Sequence, residues 1–145
     1  MSRVTAGKGF YRDGALLYWL PLFAYMALIF FLSSRSDLPD VLPGLTFEDK
    51  LQHIAAYLIL AILWSRAIAR QWTAMDDRKL FLLAVLFTGL YGISDEIHQS
   101  FVPGRLADSL DVIADIAGAM VGARFFIRYK RGGRAPGADE IEELD

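Results

Sequence analysis

The chain contains no cysteine, which excludes disulfides and thiolate metal ligands without identifying the compartment. Charge is sparse too: charged residues make up 22% of the 145, against 54% apolar. The net charge of −2 names no partner by itself, and no nucleic-acid partner is expected. A chain of this length normally forms one domain. What decides its class is the arrangement of the apolar residues, which fall in runs close to the 18 or so needed to cross a bilayer.

Four runs qualify. The first, Ala15 to Leu32, has no charge and is interrupted only by Pro21, which membrane helices tolerate where neighbours satisfy the freed carbonyl. A cleaved signal peptide is the rival for this run, but its apolar core is usually shorter. The second, Leu51 to Ala69, is apolar after Gln52 and His53, and the third runs from Leu80 to about Ile97. The fourth, Leu110 to Ile127, contains Asp111, Asp115 and Arg124 and is a poor span in isolation. Its Gly118 and Gly122 form a G-x-x-x-G that permits close helix packing. The expected architecture is an all-α integral membrane four-helix bundle over residues 15–127, with a cytoplasmic N-terminal segment at 1–14 and a solvated cytoplasmic tail at 128–145.

Orientation follows from the basic residues. Arg3, Lys8 and Arg12 precede the first run; Arg66, Arg70, Arg78 and Lys79 lie at the second connection; Arg124, Arg128, Lys130, Arg131 and Arg134 end the chain. Only Arg35, Lys50 and Arg105 lie on the other side. The positive-inside rule therefore places both termini in the cytoplasm. Arg66, Arg70 and Arg124 are expected to be anchors that snorkel to the interface.

With that topology three distant motifs meet outside: EDKLQHIAAY, YGISDEIHQ and DSLDVIAD. At 100° per residue, Asp49, His53 and Tyr57 share one arc of the second helix. Asp108, Asp111 and Asp115 share an arc that continues through Gly118 and Gly122. Thr88, Tyr91 and Asp95, extended by Gln99, form a third stripe. Plain structural roles compete for several of these residues. Thr46 to Asp49 fits a capping box, Asp108 to Asp111 fits a second cap, His98 suits a loop, and the tyrosines suit an interface.

Asp95, Glu96 and Asp115 resist such explanations. The first two sit at a helix C-terminus, whose partial negative charge disfavours carboxylates, and the third lies inside a span, where an isolated charge is costly. Lys50 and Arg105 are the cations at hand, and the turn Val102 to Arg105 is expected to fold Arg105 back so that it grips a carboxylate bidentately. Two cations do not balance Asp49, Asp95, Glu96, Asp108, Asp111 and Asp115. The excess implies a held proton, a bound cation, or carboxylates kept apart in water.

The pattern D-K-x-x-H-x-x-x-Y, Y-G-x-x-D-E-x-x-Q-x-F-x-P-x-R and D-x-x-D-x-x-x-D-x-x-G-x-x-x-G resembles the VanZ-like membrane proteins. Here it comprises Asp49, Lys50, His53 and Tyr57; Tyr91, Gly92, Asp95, Glu96, Gln99, Phe101, Pro103 and Arg105; and Asp108, Asp111, Asp115, Gly118 and Gly122. The Ser-rich exit of the first run, Ser33, Ser34 and Ser36, belongs to the same resemblance. Asn is common in that family where this chain has Asp115. The resemblance implies a small multi-pass protein of the bacterial cytoplasmic membrane, and its namesake is associated with low-level resistance to the glycopeptide teicoplanin.

Three functions compete. The first is envelope-associated binding of a lipid headgroup, a lipid-linked cell-wall intermediate or a glycopeptide antibiotic in the external polar site. The second is an enzyme acting on a lipid-linked substrate, assisted by a divalent cation on Asp95, Glu96 and Asp111, since oxygen-rich sites suit hard cations. No resident cofactor is otherwise indicated. The third is proton or ion movement through His53, Asp95 and Asp115.

Overall fold

The computed structural model describes residues 10–36, 48–105 and 107–132. They form four helices: α1 Phe10–Ser33, α2 Glu48–Gln71, α3 Asp77–Gln99 and α4 Ser109–Gly132. Each exceeds the apolar run that announced it, because polar residues complete its ends. Asp76 caps α3 by accepting the Lys79 amide at 2.9 Å, and Glu48 and Asp49 occupy the first turn of α2, where the helix dipole favours acids. The last turn of α4 carries Lys130 and Arg131, whose side chains bind Asp77 at 3.2 and 2.6 Å. Residues 128–132, expected as tail, are therefore helical, as are residues 10–14 of the expected leading segment. The capping box proposed at Thr46 and the tail from residue 133 lie outside the described residues.

α1, α2 and α3 are long and apolar enough to cross a membrane; at 1.5 Å per residue a 24-residue helix spans about 36 Å. α4 has the same length and turns Asp111 and Asp115 inward, where both are buried. The outer surface is apolar, with Leu20, Phe23, Leu86, Leu90, Ile113 and Phe125 all exposed. That distribution suits a bundle bathed in lipid rather than water.

Side-chain contacts fix the topology. Ser34, just past α1, meets His98 in the last turn of α3, so α1 and α3 run in the same direction. Gly118 faces the Ile54 carbonyl and Gly122 the Leu58 carbonyl, so α2 and α4 run parallel to each other. The chain thus goes up, down, up and down. One end, the polar end, gathers the C-termini of α1 and α3 with the N-termini of α2 and α4. The opposite, basic end holds Arg66, Arg70, Arg78 and Arg131.

α2 and α4 make the most extensive helix pair, and the two glycines explain why. A Cβ on either would collide with backbone of α2, so the small residues let two backbones touch. Below this contact Ile68, Leu80, Ala84, Ala123 and Ile127 close the core. Leu22, Ile29, Tyr57 and Leu60 seat α1 against α2.

Replacing Gly118 or Gly122 by Ala forces α2 and α4 apart and should destabilise the bundle by about 1–3 kcal/mol, the usual scale of overpacking. Gly89→Ala is the control, because its Cβ would meet only Ile116 Cγ1 at an ordinary 3.5 Å. Thermal denaturation of the detergent-purified variants, followed by size-exclusion fluorescence, should rank Gly89→Ala well above the other two.

Candidate functional site

At the polar end, Lys50 of α2 is the centre of the electrostatics. Its Nζ donates to Asp108 Oδ2 at 2.7 Å, makes a short ion pair with Asp111 Oδ1, and lies 3.6 Å from Asp49 Oδ2. Asp111 is buried while Asp108 is more open. Asp108 also caps α4, its Oδ1 accepting the Leu110 amide at 2.9 Å. The Lys50 ammonium, together with that amide, holds the Asp108 carboxyl below the usual carboxylate range.

Glu96 resolves the misplaced acids of α3. Its Oε2 accepts the backbone N–H of Asp108 at 2.8 Å, the residue that caps α4. A carboxylate unsuited to the C-terminus of its own helix thereby serves the positive N-terminus of the neighbouring one. Asp95, one residue away, turns about 100° around the same helix. It accepts Gln99 Nε2 on Oδ2 at 3.0 Å.

Deeper in the bundle, His53 Nδ1 and Asp115 Oδ1 are 2.9 Å apart, with Asp115 fully buried. Gly92 makes room for that carboxylate, because a Cβ there would stand 2.5 Å from Asp115 Oδ2. The His53 ring lies parallel to that of Tyr57. Tyr91 ties α3 to α1 through the Met26 carbonyl. His98 is not in a loop: it belongs to α3, lies 2.9 Å from Ser34 Oγ and stacks on Phe30, because the helix runs on to Gln99.

The residues brought to this end divide into two faces. Toward α4 lies the Lys50 network with Asp108, Asp111 and Glu96. Toward α1 lies a pocket of about 120 Å³ whose polar lining comes from Ser33, Asp49, Gln52, His53, Tyr57, Asp95, Gln99 and Arg105. Arg105 reaches it by the expected turn, in which Gly104 adopts φ +83° and the Arg105 amide bonds Val102 O at 3.1 Å. Its expected carboxylate grip does not form among the described residues. Nε donates instead to the Arg35 carbonyl at 2.9 Å, since the turn aims at the exit of α1. The bracing cation is Lys50, the other of the two cations at hand, rather than Arg105.

Six buried side-chain polar atoms have no hydrogen-bond partner among the described residues: Trp64 Nε1 and Thr88 Oγ1 farther down the bundle, and Tyr57 Oη, Asp95 Oδ1, Glu96 Oε1 and Asp115 Oδ2 toward the polar end. Of these six residues, Tyr57 and Asp95 line the pocket. Asp49, His53 and Asp111 place one ligand atom each within 4.8 Å of one another, which differs from the expected cation trio of Asp95, Glu96 and Asp111. The carboxylates of α3 point elsewhere, while α2 and α4 converge. Such a nitrogen and oxygen set fits a borderline divalent cation, with the Lys50 ammonium already competing for Asp111. Gln52, which donates to Glu48 Oε1 at 3.1 Å, was passed over in the sequence; its spacing of four from Glu48 was the available signal.

The sequence model of the VanZ/LLP1 family matches residues 13–130, so the match takes in every residue of the polar end. No curated protein matches the chain, and no solved structure does.

Removing the ammonium with Lys50→Met should strongly destabilise the bundle, because Asp111 then stays buried without compensation. Lys50→Met with Asp111→Asn should recover part of the loss, giving a coupling of about 0.5–3 kcal/mol in a double-mutant cycle of unfolding. Acid supplies an independent check. The Asp108 pKa is lower folded than unfolded, so its contribution is present above the ordinary value of 3.8 and fades as pH falls through the lower folded value. Asp108→Asn should remove that part of the acid dependence.

Proposed function

The chain belongs to the VanZ/LLP1 family, and from that premise we propose that it is a bacterial envelope membrane protein whose polar-end pocket binds the headgroup of an amphipathic lipid. The supporting observation is Asp95, only 4% exposed, which lines the pocket and carries an unpartnered Oδ1. A buried carboxylate oxygen without a donor is costly, so the pocket favours a ligand that brings one. Asp95 and Asp49 suit an ammonium or sugar hydroxyls, and Arg105 on the rim suits a phosphate. A headgroup bearing both charges, as in phosphatidylethanolamine, matches this set best.

Size sharpens the proposal. About 120 Å³ is small beside the ~300–1,000 Å³ of ordinary ligand pockets. A headgroup fits; a glycopeptide or a complete cell-wall intermediate would insert only one substituent. The basic residues at the opposite end, Arg66, Arg70, Arg78, Lys79, Arg124, Arg128, Lys130 and Arg131, support a cytoplasmic placement of that end by the positive-inside rule. The pocket would then open at the outer leaflet. A second reading has one observation in its favour: the Asp49, His53 and Asp111 donors would let a divalent cation polarise a phosphate ester. Metal-dependent hydrolysis of lipid-linked phosphates by the purified protein would favour it.

Mass spectrometry of phosphatidylethanolamine retained through detergent purification tests the binding reading. Asp95→Asn and Arg105→Gln should each lower retention on the order of tenfold, the scale of one lost charged hydrogen bond. Unchanged retention in both variants, with normal expression, contradicts it. Teicoplanin susceptibility of cells producing the same variants reads out any link to resistance.

A further inference from the structure

At the basic end, α3 and α4 enclose a groove of about 560 Å³, within the usual range of ligand-sized pockets. Its walls are Phe81, Met120, Val121 and Ile127, and its rim carries Arg78 and Arg124. Neither guanidinium has a hydrogen-bond or ion-pair partner among the described residues. Of the other arginines at this end, Arg66 and Arg70 lie over the Tyr18 ring at 4.9 and 4.7 Å, Arg131 binds Asp77, and Arg128, equally unpartnered among the described residues, does not line the groove.

Arg124 stands eight residues before the end of α4, about 12 Å along its axis. A guanidinium stays charged there and needs a counter-charge or a route to water. Asp77, the one acid lining the groove, is already held by Lys130 and Arg131. The groove therefore has surplus positive charge at its rim and hydrocarbon along its floor. Met120, Val121 and Arg124 are exposed on the lipid-facing side, so lipid can enter laterally.

We infer that this groove holds one anionic phospholipid, its phosphate between Arg78 and Arg124 and an acyl chain along Phe81, Met120, Val121 and Ile127. Basic pockets between membrane helices recognise acidic headgroups in this way. A soluble anion would use the arginines but not the apolar floor. The inference needs only the membrane placement of the bundle, and stands apart from ligand binding at the polar end.

Native mass spectrometry of the full chain in detergent, titrated with phosphatidylglycerol or phosphatidylcholine, tests it. Phosphatidylglycerol should be retained preferentially, and Arg78→Gln and Arg124→Gln should each weaken it about fivefold, the scale of one basic residue facing anionic lipid. Arg128→Gln, an exposed residue outside the groove, should leave retention unchanged. Val121→Trp fills the groove from an exposed position and should displace the lipid with both arginines intact. Equal retention of the two lipids, or equal losses in Arg124→Gln and Arg128→Gln, overturns the inference. Inorganic phosphate that competes as well as the lipid does so too. Asp95→Asn and Arg105→Gln should not alter phosphatidylglycerol retention, so failure here and failure at the polar end are separable.

Discussion

The backbone contact between α2 and α4 is the constraint on which the polar end depends. Gly118 against Ile54 and Gly122 against Leu58 fix two parallel helices at a spacing that larger residues would not permit. Parallel packing then sets equal heights on the two helices side by side. Lys50 consequently falls level with Asp108 and Asp111, and His53 level with Asp115. A shift of one turn would separate every one of these pairs.

The same geometry explains a concentration of carboxylates that a membrane protein would otherwise avoid. Two helix N-termini, those of α2 and α4, open at one end of the bundle, and each carries partial positive charge. Asp49 and Asp108 belong to those termini, and Glu96 reaches across from α3 to the second of them. Lys50 adds a full charge between them. The acids of α3 are thus misplaced for their own helix and well placed for its neighbour. What the dipoles and Lys50 leave uncompensated, above all Asp95 in its pocket, is where a ligand has most to offer.

Three of the four helices were legible in the sequence because apolar runs of membrane length leave few alternatives, and the fourth, broken by Asp111, Asp115 and Arg124, through the helix-packing spacing of Gly118 and Gly122. The three polar stripes were legible from helical periodicity, and the topology read from the basic residues brought Asp49, His53, Asp95, Gln99, Asp111 and Asp115 to one end. Partner choice was not. Arg105 and Lys50 are both cations near excess acid, but the turn at Gly104 sends Arg105 to a carbonyl, while the register of α2 on α4 brings Lys50 to two carboxylates. Periodicity puts adjacent Asp95 and Glu96 about 100° apart, but does not say which neighbouring helix each one faces, or which acids converge with His53. His98 was assigned to a loop because Gln99 and the turn after it obscure how far the helix runs. The groove at the basic end was invisible for a related reason: arginines counted as topology anchors look alike until their partners are known.

One glycine-spaced helix pair joins two chemically different ends, with a headgroup pocket proposed at one and an acidic-lipid groove at the other. Both proposals require the ends of α2, α3 and α4 bearing the acidic motifs to share one membrane face. The cysteine-free background makes the direct test clean: single cysteines at the exposed positions Asp49, Ser100 and Ser109, labelled in spheroplasts with a membrane-impermeant maleimide. All three should react without permeabilisation. If any one of them reacts only after the membrane is opened while the others react before, the shared face does not exist.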